Sequence, residues 1–450
     1  MLNAELACNL PDKIVPQPTG LPYAFTDKPV TAWGGLRLMQ EMLLRINFRA
    51  TLDSCGLMPP GSNRGYNPAT MMESFMVCVW IGGARFSHTA IVRFDDALKQ
   101  IFGWKSVGSV STFTRFFGKF KQQDVDEVFG NINRWFWSRL APKTLTLDLD
   151  SSVVTRYGQQ EGVAVGYNPH KRGRPAHHPL FAFAADIRMA VHAWLRPGDT
   201  ASSSNVNNFF EEALTVIGPC HKVGLVRADS GFFVGAFLSL LESKRINYIV
   251  SARMNPVIRN MIAGLKAWVG VDKGIAVSEL RYEAHKWGKE RRIIVVRQEE
   301  AERPQAKGRL LFKMPGYRYQ AYVTDLGLSP VDTWRLYRGR ADSENRIEEL
   351  KNDFGASGFC LDSFYGTEAA FRTVLVAYNL MSLFRQALLL SPSAVKLPTM
   401  RFQCFAIGSW IGANARRKVI RLGLASKRRA WFDGLFARIE QFHAPWLCQT

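Results

Sequence analysis

Hydrophobic and polar residues begin to alternate strictly near residue 143, and this pattern marks the most informative region of the chain. In KTLTLDLD, three leucines point to one face of a predicted strand, whereas Asp148 and Asp150 point to the other. Two further strand-like segments follow, and then a helix, a strand, a helix and a strand. A last helix is predicted at PVDTWRLYRGRADSENRIEELKNDF. We therefore expect an α/β core whose mixed sheet is covered on both faces.

The rest of the chain divides into regions around that core. Residues 1–137 alternate Pro/Gly-rich loops with apolar helical stretches, which predicts a helical, DNA-binding N-terminal domain. The core occupies residues 143–253 and 323–365, and a β-rich insertion at residues 254–322 separates its two parts. Residues 366–450 predict a basic, helical C-terminal region.

One N-terminal segment has the features of a DNA-reading helix. The sequence SVGSVSTFTRFFGKFK offers a Ser/Thr cap followed by a helix that carries Arg115, Lys119 and Lys121. Such a helix could be the second helix of a helix-turn-helix motif. Ordinary packing of this helix against the rest of the domain is the alternative.

Charge and composition narrow the class of partner. The chain has 450 residues and a net charge of +20, which favours a polyanionic partner, nucleic acid ahead of an anionic membrane surface. No apolar run approaches the roughly 18 residues of a membrane span, and the N-terminus lacks the blocks of a signal peptide. We expect a cytoplasmic protein that associates with the nucleoid when it binds DNA. The seven cysteines are scattered and never form C-x-x-C, so neither a disulfide framework nor a zinc site is indicated.

Three carboxylates stand where the predicted core would bring them together. Asp150 ends the first strand, Asp229 ends the fourth, and Glu344 lies on the last helix. Strand ends of an α/β sheet gather at one edge, and carboxylates that converge there repel each other unless a cation lies between them. Oxygen ligands suit Mg²⁺, with Mn²⁺ able to substitute, and two ions about 4 Å apart could promote an in-line phosphoryl displacement. The alternatives to these ligands are Asp148, Glu348 and Glu349.

The last helix also carries a chemically coherent face. Four of its residues lie at offsets of 0, 3, 7 and 14, which places them within roughly 60° of arc on a helix. An aromatic ring, an arginine fork and a lysine beside one glutamate are suited to a metal-bound phosphate backbone. The alternative is a solvated, charged helix. These residues are Tyr337, Arg340, Glu344 and Lys351.

This combination resembles the DDE transposases of bacterial insertion sequences. The closest resemblance is to the cut-and-paste group with the signature Tyr-x2-Arg-x3-Glu-x6-Lys, whose spacing the last helix meets at every position. In that group two small hydroxyl residues follow the first aspartate, as Ser151 and Ser152 follow Asp150 here, which favours Asp150 over Asp148. The segment GYNPHKRGRPAHHPL is similar to a subgroup hallmark in the hairpin after the first strand.

The resemblance covers residues 143–365 and implies a ribonuclease H-like core interrupted by the β-rich insertion. It implies that Asp150, Asp229 and Glu344 are the catalytic and metal-binding residues, with two Mg²⁺ ions in each active site. It further implies double-stranded DNA as partner, including the element's terminal repeats and target DNA. Excision through hairpin DNA ends inside a homodimer is also expected.

Several other residues are candidates for holding DNA. A turn bounded by Gly173 and Pro175 carries Lys171, Arg172 and Arg174, which we expect to contact phosphate, a solvated hairpin tip being the alternative. The nearby histidines are expected to be hydrogen-bonded or to face DNA, and they are His170, His177 and His178. The aromatic residues that could stack on a flipped base are Tyr317, Tyr319, Tyr322 and Trp287, with core packing as the alternative. The basic residues of the C-terminal region, which would meet DNA or an acidic partner surface, are Arg416, Arg417, Lys418, Arg421, Lys427, Arg428 and Arg429.

The sequence thus favours a metal-dependent transposase that cuts and rejoins the ends of its own element. A nuclease with the same core and no strand transfer is a second possibility. A DNA-binding regulator without catalytic activity is a third, although the intact acidic triad and the intact four-residue signature argue against it.

Overall fold

Helices dominate the N-terminal part of the protein. The computed structural model describes residues 20–169, 171–285, 287–299, 316–389 and 395–442. The first of these ranges begins with strand β1 (Val30–Thr31) and continues with seven helices. They are α1 (Leu36–Arg45), α2 (Phe48–Ser54), α3 (Pro68–Trp80), α4 (Thr89–Phe94), α5 (Asp96–Phe102), α6 (Val110–Gly118) and α7 (Gln122–Arg139).

The α/β core follows, and its elements occur in the predicted order. They are β2 (Thr144–Ser151), β3 (Val154–Thr155), β4 (Ala176–His177), β5 (Leu180–Ala184), β6 (Met189–Trp194), α8 (Val206–Ile217), β7 (Lys222–Ala228), α9 (Gly235–Ser243) and β8 (Asn247–Ser251). The order across the sheet is β6-β5-β2-β7-β8. Strands β2, β7 and β8 run parallel, whereas β5 and β6 pair antiparallel. This topology confirms the predicted α/β class with a ribonuclease H-like mixed sheet.

The β-rich segment after β8 widens this sheet. It contains α10 (Pro256–Ala263), β9 (Val269–Asp272), β10 (Ile275–Tyr282), β11 (Arg291–Glu299) and β12 (Tyr317–Thr324). Because β12 pairs with β8, the four new strands continue the core sheet in the order β8-β12-β11-β10-β9 and bring it to nine strands among the described residues. The segment therefore shares backbone hydrogen bonds with the α/β core.

The remaining elements return to the core and then to the N-terminal helices. They are α11 (Pro330–Arg338), α12 (Ala341–Asn352), α13 (Phe364–Leu389), α14 (Leu397–Met400), β13 (Ser409–Asn414), β14 (Arg417–Leu422) and α15 (Ser426–Glu440). Helix α13 is buried along most of its length and packs against α3, α6, α7 and β6. The Trp80 indole donates to the carbonyl of Ala377 at 3.0 Å. The N-terminal helices and the sheet therefore share one hydrophobic core.

Two sequence predictions are wrong about secondary structure. The single helix predicted from Pro330 onward is broken into α11 and α12, because the buried Arg227 side chain donates to the carbonyl of Leu336 at 2.8 Å. The amide of Arg340 consequently bonds the carbonyl of Tyr337 instead. In the basic C-terminal stretch, predicted as helix, residues 409–422 form the antiparallel β13–β14 hairpin, which adds to β1, whereas α15 is helical as predicted. Among the helices that the structure describes, none combines the length and apolarity that crossing a membrane requires.

Candidate active site

Two aspartates lie side by side at one edge of the sheet. In the parallel pairing of β2 and β7, Leu149 is opposite Ala228, so Asp150 and Asp229 occupy equivalent positions at neighbouring strand ends. Neighbouring strands are about 4.8 Å apart. The carboxyl ends of parallel strands are also where α/β sheets bind ligands. The topology therefore brings together two of the three predicted acidic residues.

Asp150 is held in a buried environment. It is 6% exposed, and this burial raises its pKa to about 6, against the opposing effect of Arg340 and with a further increase from the charge of Asp229. Its carboxylate receives the Arg340 guanidinium at 2.9 Å and the Ser343 hydroxyl at 3.1 Å. An intramolecular cation therefore compensates part of the negative charge at this edge.

The break between α11 and α12 positions the signature residues. Tyr337, at the end of α11, donates its hydroxyl to the carbonyl of Ala228 at 3.3 Å, next to Asp229. Arg340 immediately precedes α12 and contacts Asp150, and its second amino group is 3.6 Å from Glu344. The Glu344 side chain is 73% exposed, so its carboxylate faces solvent beside the buried pair.

Lys351 joins the same edge from the far end of α12. Its ammonium donates to the carbonyl of Val153 at 2.9 Å and to the Ser152 hydroxyl at 3.3 Å, both just beyond β2. Burial lowers the pKa of Lys351. All four residues of the predicted signature thus lie at or beside the ends of β2 and β7, although they do not share one continuous helix.

The alternative acidic residues are engaged elsewhere. Asp148 is fully buried and accepts two hydrogen bonds from Arg227, at 2.7 and 2.9 Å. Glu349 is buried against Arg385 and accepts the Leu397 amide, and the exposed Glu348 lies 3.6 Å from Lys396. The neighbours of the predicted ligands therefore have structural partners within the chain.

The donor chemistry of the edge fits a hard divalent cation. Adjacent carboxylates at Asp150 and Asp229 supply oxygen ligands, and the exposed Glu344 can contribute a third. In the described part of the chain, no three His, Cys, Asp or Glu side chains are gathered closely enough to hold a metal. The Nε of Arg340 is buried and has no acceptor among the described residues, which leaves donor capacity beside the carboxylates.

A hydrogen-bonded chain behind Asp150 is a feature that the sequence analysis did not predict as a unit. The buried His178 bonds the carbonyl of Thr200 through Nδ1 at 2.6 Å and Ser151 Oγ through Nε2 at 3.2 Å. Ser151 Oγ is in turn 2.8 Å from Ser202 Oγ. Burial lowers the pKa of His178 and favours the neutral ring, whose Nδ1–H donates to Thr200 while Nε2 accepts from Ser151. In the sequence, the only indication of this chain is the pair of hydroxyl residues, Ser151 and Ser152, that follows Asp150.

The predicted DNA-holding loop extends from this edge. The Ser152 amide bonds the carbonyl of Pro179, and β3 pairs with β4, so the loop between them caps a hairpin that continues past Asp150. Its cations are exposed and are Lys171, Arg172 and Arg174. Lys171 also lies over the Tyr157 ring at 5.0 Å. His177 is hydrogen-bonded to Arg156 and to the Glu161 carbonyl, whereas His170 lies outside the described residues.

The aromatic candidates of the insertion occupy different environments. Tyr322 is buried, with its ring 4.3 Å from that of Tyr337. Trp287 packs against Phe233, which matches the alternative of core packing. Tyr317 lies at the outer end of β12, where its ring contacts the guanidinium of Arg297 at 4.8 Å.

Comparison with known proteins places these features in a family. The sequence model of the family described as Transposase DDE domain group 1 matches residues 20–444. No curated protein matches the chain. Among solved structures, a piggyBac transposase in a synaptic complex with hairpin DNA is similar, with a TM-score of 0.45 and 9% identity, covering 84% of this chain and 81% of that chain. Because the family model spans nearly the whole sequence, the chain belongs to the DDE transposases of group 1.

Proposed function

We propose that this transposase excises and integrates its own insertion sequence by metal-dependent phosphoryl transfer at the Asp150–Asp229 edge. The observation that carries the proposal is the register of β2 and β7, which makes these aspartates neighbours, together with the Arg340–Asp150 ion pair that docks α12 against them. The edge then combines paired oxygen ligands with cations suited to phosphate.

Each residue has a role in this proposal. Asp150, Asp229 and Glu344 would hold the Mg²⁺ ions, two in each site, and the bound ions would supply the Lewis acidity needed to activate a water or a 3′-hydroxyl and to stabilise the leaving oxygen. Arg340 would exchange its acceptor, Asp150, for a phosphate of the DNA, since the guanidinium can donate two parallel hydrogen bonds to either anion. The residues that would position the flanking strand are Tyr337, Lys351, Lys171, Arg172 and Arg174.

The neutral His178 would orient the hydroxyl of Ser151 away from Asp150. Nε2 of His178 would accept a hydrogen bond from the Ser151 hydroxyl, so the Asp150 carboxylate would keep its outer lone pairs for a ligand. The nucleophile comes from solvent or from DNA. We further propose that the DNA ends pass through hairpins and that two chains assemble on them, which mass measurement of the complex with end DNA would test.

Cleavage of labelled duplexes with candidate element ends tests the assignment of Glu344. Wild type should nick and form hairpins with Mg²⁺ and remain inactive with EDTA. Glu344→Gln should lose more than about a hundredfold of the activity, because even outer-shell partners of a metal contribute about 10–100-fold. The side chain is exposed, so the substitution should leave the fold intact.

Glu348→Gln is the matched control, one turn further along α12 with a 58% exposed side chain, and it should retain activity. Adding a target plasmid separates the transposase from a nuclease, since only the transposase yields joined products. Tight binding of element ends without cleavage of any of them would contradict the proposal and favour a DNA-binding regulator.

A further inference from the structure

The β13–β14 hairpin, residues 409–422, is a basic ribbon that is anchored at one end and exposed at the other. Ile411, Ile420 and Leu422 pack against the main core, and Trp410 pairs with Val30 of β1. From Ala413 to Val419 every residue is exposed on both faces of the hairpin. The distal half of the ribbon therefore stands clear of the core that holds its base.

The ribbon lies in a stretch without acidic residues. No Asp or Glu occurs between Glu368 and Asp433. Cations early in this stretch are neutralised, as Arg372 is by Glu368 at 2.7 Å and Lys396 by Glu348 at 3.6 Å. The later cations have no carboxylate partner among the described residues and are Arg416, Arg417, Lys418, Arg421, Lys427, Arg428 and Arg429.

An aromatic ring organises the outer face of the ribbon. The Trp410 ring lies over Gly412, where a Cβ atom would come within 2.4 Å of it, so glycine is required for this close approach. Lys28 lies over the same ring at 4.8 Å and Arg421 at 5.2 Å. In the alternation of β14, Arg417 projects to the same face as Arg421. Two strand-borne cations are thus displayed on a supported surface.

We propose that the basic ribbon binds the phosphate backbone of duplex DNA as a second contact surface, separate from the catalytic edge. The cations of the ribbon repel each other, and a regularly spaced polyanion relieves that repulsion. The major groove of B-DNA admits a two-stranded β-ribbon, which the exposed distal half of the hairpin provides. The inference rests on the proposed function only in taking DNA as the substrate.

Duplex binding in EDTA tests the ribbon without cleavage. The affinity of wild type for a labelled duplex of arbitrary sequence is measured by anisotropy between about 50 and 200 mM salt. The ribbon variant carries Arg417→Gln and Arg421→Gln. Its binding should be weaker at low salt, and the slope of log affinity against log salt should be shallower by about 2, roughly 1 for each cation that contacts phosphate.

The control variant carries Lys143→Gln and Lys222→Gln, an equal change in net charge. Both lysines are exposed at the ends of the strands opposite the aspartates, where Lys143 precedes β2 and Lys222 is the first residue of β7. This control should keep the wild-type slope, and replacing Arg417 and Arg421 by lysine should restore it.

An unchanged slope in the ribbon variant, or an equal loss in the control, would overturn the proposal. Loss of self-association in light scattering with wild-type DNA binding would also overturn it, and would identify an acidic surface of a second chain as the partner. Glu344→Gln should bind DNA with the wild-type slope, so failure of the catalytic proposal is distinguishable from failure of this one.

Discussion

The proposed catalytic edge, at the ends of β2 and β7, and the basic ribbon both concentrate charge, but they compensate it in opposite ways. At the edge, Asp148 and Asp150 are buried, and each carries a guanidinium at 2.7 to 2.9 Å supplied by the chain itself. On the ribbon, Arg417 and Arg421 are exposed and have no carboxylate partner in the described ranges. The two buried aspartates are therefore neutralised within the chain, whereas the ribbon's arginines are available to an external anion.

The difference reflects the cost of removing charge from water. A buried ion loses several kcal/mol of hydration, so it persists only with partners in place when the protein folds. An exposed cation keeps its hydration, so it can remain without a partner in the protein at little cost to stability. The Asp150–Asp229 pair stands between these cases, because only Asp150 is buried with a cation beside it. Arg340 neutralises only part of the negative charge of this pair, and a bound metal ion would neutralise the rest.

The largest effect on stability should come from removing one partner of the buried Arg227–Asp148 ion pair. Arg227→Ala should lower the free energy of unfolding by about 3–5 kcal/mol, because it leaves the carboxylate of Asp148 buried and unpaired. Urea unfolding measures the change. Replacing both partners together, Asp148→Leu with Arg227→Met, should cost much less than the single substitution, and an equally large loss would show that the pair itself is not the reason.

Arg340→Gln should strengthen metal binding, whereas a structural defect at the site would weaken it. Arg340 neutralises Asp150 in the absence of metal, so a divalent ion must compete with the guanidinium. Removing it should tighten Mn²⁺ binding about tenfold, or ~1.4 kcal/mol, in calorimetry at a pH well above 6. Binding that is weaker than in wild type would mean that Arg340 supports the ligands and does not compete with the ion.

Arg338→Gln is the matched control for this comparison. Arg338 is exposed at the end of α11, where it contacts the Trp334 ring at 5.1 Å, and it makes no described contact with Asp150. Its substitution should leave the Mn²⁺ affinity unchanged.

Local pattern was sufficient for the core and insufficient where distant residues intervene. Strict alternation around Asp148 and Asp150 predicted β2 and the faces of its side chains, and the order of strands predicted that Asp150 and Asp229 would meet. The break before α12 was not predictable from the helical periodicity, which continues through it. It depends on Arg227, whose guanidinium takes the Leu336 carbonyl and passes within 2.5 Å of where a Cβ at Gly339 would lie.

The basic ribbon shows the same limit at longer range. Its residues were predicted as part of a basic, helical C-terminal region. Strand β13 pairs with β14 along its whole length and also with β1, which lies far earlier in the chain. Burial of Ile411, Ile420 and Leu422 then favours the alternation of a hairpin. The contacts with β1 and the core lie outside a local window, although β13 and β14 are neighbours in the chain.

The smallest effect on stability should come from removing the exposed arginines of the basic ribbon. The variant with Arg417→Gln and Arg421→Gln should change the free energy of unfolding by less than about 0.5 kcal/mol, since both side chains are exposed. At low salt the sign should be stabilising, because repulsion among neighbouring cations is relieved. Urea unfolding repeated in about 1 M salt should remove that gain, as the Debye length shrinks to about 3 Å. A loss above about 1 kcal/mol would instead mean that these cations are paired within the fold, and the contrast with the catalytic edge would then not hold.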